Sequence, residues 1–137
     1  MDTIKYDRCI RKLISHVTGK SEYWYLGHQQ EELIHEFHYA FLSESLKKLN
    51  SGVPLEYVVG WTEFYKDKFH VSENVLIPRE ETEILVEKAL SIISKSVTNN
   101  FKILELGVGS GAVITSILLS SPRPVSAVAT DISQKAL

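Results

Sequence analysis

The chain has 137 residues, 44% of them hydrophobic and 23% charged, a balance that suits an ordinary globular domain rather than a disordered tail. A formal charge of -2 leaves no large basic surface, so direct binding to nucleic acid is not expected, and no run approaches the roughly 18 apolar residues of a membrane span. Cys9 is the only cysteine, which excludes an internal disulfide and a cysteine-rich metal site, and Met1-Asp2-Thr3 begins neither a secretion signal nor an Arg-rich transit peptide, so the expected location is cytoplasmic.

The first third reads as helical. Ile4, Ile10, Leu13, Ile14 and Val17 fall largely on one helical face before Gly19 ends the run, and a short helix or turn is expected around Tyr23 to Leu26. From about Gln30 to Asn50, Ile34, Phe37, Phe41, Leu42, Leu46 and Leu49 step by three or four. Glu31, Glu32, Glu36, Lys47 and Lys48 lie off that stripe, and Asn50-Ser51-Gly52 stops it. The acidic start and basic end suit the helix dipole.

After Gly52 the texture changes. Tyr57 to Tyr65 and Phe69-His70-Val71 are rich in aromatic and β-branched residues, with Lys66-Asp67 as the turn between them, so a β-hairpin linker is expected. Pro78 closes Val75-Leu76-Ile77, and a helical pattern then runs from Glu80 to about Ser94. Lys102 to Leu106 reads as a short buried strand, Ala112 to Leu119 as a helix, and Val125 to Thr130 as a second strand ending in Asp131. Together they form a βαβ unit, whose strands should be parallel. Ser133 is placed to cap a following helix.

Between that first strand and its helix stands Gly107-Val108-Gly109-Ser110-Gly111, where glycines let the backbone turn sharply and bring amides close to a ligand. Asp131 follows 20 residues after Gly111, a position from which a carboxylate accepts hydrogen bonds from both ribose hydroxyls. The glycines leave the nucleoside open, because Gly107, Gly109 and Ala112 also satisfy the G-x-G-x-x-A form of the dinucleotide fingerprint. Glu105, two residues before the turn, disfavours a pyrophosphate: like charges 4 Å apart repel by roughly 4 kcal/mol at an effective dielectric of 20. A sulfonium compound with an ammonium and no phosphate meets no such penalty. An α/β turn without a ligand and a nicotinamide dinucleotide site both stay open at this point.

Several segments resemble one family. Gly52-Val53-Pro54-Leu55-Glu56-Tyr57-Val58-Val59-Gly60, then Glu63-Phe64, then Val75-Leu76-Ile77-Pro78-Arg79-Glu80-Glu81-Thr82-Glu83 resemble the linker of the release-factor glutamine methyltransferases, the HemK/PrmC family. Glu105-Leu106-Gly107-Val108-Gly109-Ser110-Gly111-Ala112 is similar to the family's cofactor turn, and Ala127 to Ser133 to its second-strand motif. The ordered match runs from about Gly52 to the end, while before Gly52 only helical character agrees.

The resemblance implies an α/β fold with a small N-terminal helical domain over 1–52 that docks the protein substrate. It implies a β-hairpin linker over 53–78 and the first part of a Rossmann-like class I methyltransferase domain over 79–137. The implied cofactor is S-adenosyl-L-methionine, held by Glu105, Gly107, Val108, Gly109, Ser110, Gly111 and Asp131, with Glu105 supporting either the turn or the ammonium. The implied reaction is methyl transfer to the side-chain amide nitrogen of a glutamine in a peptide chain release factor. Arg79 and Thr82 are candidates for the pocket or for tying the linker to the catalytic domain.

The pattern departs from the family in two places. Glu80 replaces a proline after Pro78-Arg79, and the family's Asn-Pro-Pro-Tyr, which orients the substrate amide, is not reached before Leu137. No catalytic residue is therefore assigned, the chain alone is expected to be inactive with weak cofactor affinity, and an exposed apolar sheet edge is expected to promote self-association. A nicotinamide-dependent oxidoreductase fragment and a non-catalytic interaction module are the competing readings. Thr18-Gly19-Lys20-Ser21 fails as a phosphate loop because position 14 is Ile14, and His35-Glu36-Phe37-His38 lacks the histidine spacing of a zinc site, so no metal is expected.

Overall fold

The computed structural model describes residues 3–28 and 36–137, which divide into two compact units, Met1–Val59 and Gly60–Leu137. In the first, α1 (Thr3–Thr18) stops at Gly19, whose φ of +68° suits a glycine and whose N–H returns to the Ser15 carbonyl at 2.9 Å. The short α2 (Glu22–Gly27) begins at Ser21, whose hydroxyl accepts the Trp24 N–H at 3.1 Å. The helix expected from Gln30 is observed as α3 (Glu36–Asn50), the positions before it lying outside the described residues.

Asn50-Ser51-Gly52 ends α3 in a Schellman motif: the Val53 N–H reaches the Lys48 carbonyl and the Gly52 N–H the Leu49 carbonyl, both at 3.0 Å. Of the described stripe residues only Leu49 is fully buried, and Phe41 stays exposed against the His16 ring, so the stripe is wetter than its spacing predicts. Among the described residues of this unit, Cys9, Leu13, Ile14, Leu49, Leu55 and Val59 are the buried apolar ones.

Tyr57-Val58-Val59 is helical, not the start of a strand. α4 (Leu55–Val59) begins after Pro54, whose carbonyl accepts the Tyr57 and Val58 N–H groups at 3.2 and 3.3 Å. Leu55 and Val59 are both buried, and four residues apart is the spacing that a single helical turn puts on one face. Burial of that pair outweighs the β preference of the valines.

In the second unit, β1 (Trp61–Phe64) pairs antiparallel with β2 (Asp67–His70), Trp61 opposite His70 and Phe64 opposite Asp67. The turn is Tyr65-Lys66, one residue earlier than the sequence suggests, with Tyr65 at φ +58°. Its strain is held by the Glu83 carboxylate, which accepts the Tyr65 N–H at 2.7 Å. Phe64 and Phe69 join Val86, Ile93, Ala112 and Ile117 in one buried cluster. The hairpin expected as a linker thus shares a core with the segment after it.

A 3-10 turn (Glu80–Thr82) leads into α5 (Glu83–Lys95), followed by β3 (Phe101–Leu106), α6 (Ala112–Ser120) and β4 (Val125–Thr130). β3 and β4 are parallel and in register from Phe101 opposite Val125 to Leu106 opposite Thr130, as the βαβ reading requires. Period-two alternation turns Phe101, Ile103 and Glu105 to the partly buried side, while Leu104, Leu106 and Val128 stand on the other, each more than 60% exposed. Arg123 ties the α6–β4 connection to the end of α5 through the carbonyls of Ser94, Ser96 and Thr98. Among the described residues, no helix is long and apolar enough to cross a membrane, and no group of three or more His, Cys, Asp or Glu is arranged to hold a metal ion.

Candidate nucleoside site

β3 ends at Leu106, and the chain then turns through three glycines of positive φ, Gly107 at +76°, Gly109 at +53° and Gly111 at +76°. A Cβ added at Gly107 or Gly109 would meet nothing within 4 Å, so conformation, not crowding, is what requires glycine there in the free protein. Open space beside a backbone amide is also what a closely approaching ligand needs.

The end of β4 holds this turn. The Gly107 and Val108 N–H groups both reach the Thr130 carbonyl, at 2.8 and 3.0 Å, and the Gly109 N–H donates to Asp131 Oδ2 at 2.8 Å. Asp131 Oδ1 accepts the Ser133 N–H at 2.8 Å. The amides of Ser133 and then Gly109 hold the Asp131 carboxyl below the usual carboxylate range, since they bond its charged form. The carboxylate is ionised and acceptor-only, and a carboxylate can take more donors than these two bonds use.

Glu105 sits apart from this cluster, on the α5–α6 side of β3. Its carboxylate lies near the Ile114 backbone in the first turn of α6. Burial pushes its pKa above the ordinary value against the lowering pull of that backbone, and Oε2 is buried without a hydrogen-bond partner. Glu105 lines an apolar cleft of about 450 Å3 with Leu85, Ile92, Ile103 and Ile117, not the cleft beside the turn.

That second cleft, of about 330 Å3, runs along Val108, Gly109, Ser110 and Gly111. His70, Ser72, Val75, Lys135, Ala136 and Leu137 also line it. The structure therefore gathers Gly107 to Gly111 and Asp131 through hydrogen bonds, with Val108 to Gly111 on a cleft and Asp131 outside the cleft wall. Arg79 and Thr82 do not line it: Arg79 is exposed ahead of the 3-10 turn, and its carbonyl accepts the Thr82 N–H at 2.9 Å. His70, Ser72 and Val75 escaped the sequence reading. His70 ends β2, the Val71 N–H bonds the Gly60 carbonyl at 3.0 Å, and the Val75 N–H bonds the Ser72 carbonyl at 3.1 Å.

No protein-family model matches the chain. It is 35% identical over 127 residues to a protein of Bordetella pertussis named release factor glutamine methyltransferase, covering 93% of this chain and 46% of that one. It is 45% identical over 96 residues to a Lactococcus lactis protein of the same name, covering 70% and 34%. A Rickettsia prowazekii protein named bifunctional methyltransferase is 34% identical over 143 aligned positions, covering 93% and 27%. The chain spans less than half the length of these relatives. Over the part that aligns, it is similar to proteins named release factor glutamine methyltransferase.

Proposed function

We propose that this chain supplies the cofactor-binding start of a methyltransferase that uses S-adenosyl-L-methionine to methylate the side-chain amide nitrogen of a glutamine in a peptide chain release factor. In this reading, 1–52 docks the protein substrate, 53–78 links, and 79–137 opens a Rossmann-like domain. The observation that carries it is the 2.8 Å bond from the Gly109 N–H to Asp131, which joins the glycine turn to the acid that would take the ribose.

The residues present fit such a ligand. Asp131 presents an acceptor-only carboxylate of the kind that takes sugar hydroxyls, and the space over Gly107 and Gly109 is open. Glu105 bears on the choice between nucleosides. Its half-buried carboxylate lines a cleft with Ile114 of the first turn of α6, so a pyrophosphate approaching that helix end would bring negative charge towards a carboxylate. A sulfonium ligand makes no such demand, and when bound it supplies the electrophilic methyl group.

The chain's own part is to hold that methyl donor in one orientation. Gly107 to Gly111 and Asp131 fix the nucleoside, and no residue among the 137 is assigned to orient the glutamine nitrogen, whose lone pair is delocalised into its carbonyl. Calorimetry with S-adenosylmethionine and with NAD tests the cofactor, and binding of NAD alone would remove this reading. Transfer of labelled methyl to a release-factor glutamine, by this chain and by a version extended through Asn-Pro-Pro-Tyr, tests the reaction. Absence of transfer by the extended version, with its cofactor bound, would refute the substrate assignment.

A further inference from the structure

Three successive amides of the glycine turn, those of Gly107, Val108 and Gly109, are held by two successive residues at the end of β4. The first two bonds use the Thr130 main chain and survive any side-chain change. The third depends on the Asp131 side chain. Gly109 has open space where its Cβ would be, so its conformation at φ +53° rests on hydrogen bonding and not on packing. The next restraint along the chain is the Gly111 N–H to the Val108 carbonyl at 2.9 Å, which closes the turn on itself and does not tie it to the sheet.

We infer that Asp131 is a positioning residue for the turn in the free protein as well as an acceptor for the ligand's sugar. Its carboxylate latches Gly109 before any ligand arrives and so sets the amide geometry that the ligand meets. The Ser133 N–H on Oδ1 fixes the carboxylate plane, which leaves Oδ2 aimed at Gly109. The latch stands on these bonds alone, and the acceptor half rests on the proposed function. A ligand that uses Asp131 then binds a turn already ordered, at lower entropic cost.

Two measurements test this. In the free 137-residue chain, the amide proton and nitrogen shifts of Gly109 and Ser133 should follow one common acidic titration, absent in Asp131→Asn, while Gly107 keeps its shift. Among the described residues, His70 and Lys135 are the ionisable side chains that line the same cleft as the turn, with Glu105 on the other cleft, and only the Asp131 transition disappears in that variant. Amide exchange at Gly109 should also quicken about tenfold in Asp131→Asn. A Gly109 amide blind to the carboxylate in the wild-type chain overturns the latch whether or not the variant folds.

The second measurement compares S-adenosylhomocysteine with its 2′,3′-dideoxy analogue. A residue that only holds the sugar hydroxyls gives no penalty with the analogue, whereas the latch predicts that Asp131→Asn still weakens it about tenfold. Equal analogue affinity for wild type and variant contradicts the latch's role in binding. If neither compound binds the wild type, the cofactor reading fails, and the free-protein titration decides the latch by itself.

Discussion

Replacing Gly111 by alanine isolates the cost of the turn's backbone. Gly111 is the N-cap of α6 at φ +76° and ψ +8°, and a Cβ there would touch only the Thr115 hydroxyl at 3.6 Å, an ordinary contact. The penalty is therefore conformational: the left-handed region costs a residue with a Cβ about 1–2 kcal/mol, against which the less flexible unfolded chain returns about 0.4–1 kcal/mol. The net loss is about 1 kcal/mol, which in a unit of roughly 60–100 residues lowers Tm by about 4–8 °C. Asparagine tolerates this region, so Gly111→Asn should cost less than Gly111→Ala. The two tryptophans lie in different units, Trp24 in the first and Trp61 in the second, so urea unfolding in a Trp24→Phe background reads the second unit alone. An alanine variant as stable as the parent, or an asparagine variant as costly as alanine, would refute the argument. At Gly109 an added Cβ enters open space beside the cleft, and there the loss of ligand affinity should exceed the loss of stability.

Ser116 lies fully buried in α6 with its hydroxyl unpartnered, so Ser116→Ala should stabilise the second unit by about 1–2 kcal/mol through the relieved desolvation and the better helix former, read as a higher urea midpoint. Arg123→Ala removes the donors to the Ser94, Ser96 and Thr98 carbonyls and should cost about 1–2 kcal/mol, with faster amide exchange at the end of α5. Burial raises the Glu105 pKa, so the folded state holds its proton more tightly, and Glu105 lowers stability as pH rises through the interval above the ordinary 4.5. Glu105→Gln should flatten that fall in urea midpoints measured between pH 4 and 8. The Asp131 carboxyl is shifted downward, and its stabilising contribution should disappear only as pH drops below the ordinary 3.8.

The elements of the second unit were legible where one force dominates. β3 and β4 announce themselves as short apolar runs bounded by glycine and proline, and Val125 to Thr130 matches its observed strand at both ends. The glycine turn and Asp131 were readable because backbone conformation and charge each demand particular residue types. Residues 57–59 misled because two valines and a tyrosine prefer strands, while Pro54 and the burial of Leu55 with Val59 selected a helix. The latch from Asp131 to Gly109 spans 22 residues and was invisible to any local pattern. So was the approach of His70 and Ser72 to the turn, which tertiary packing alone decides. Glu105 shows the same limit: its charge and position were plain, but its burial in the apolar cleft lined by α5 and α6 is known only from the fold.

A crystal structure of the chain with S-adenosylhomocysteine bears most directly on the cofactor assignment. The nucleoside should lie along the backbone from Gly107 to Gly111, with both ribose hydroxyls donating to the Asp131 carboxylate. A sugar bound away from Asp131, or a dinucleotide held with its diphosphate beside Glu105 in a parallel soak with NAD, would contradict it.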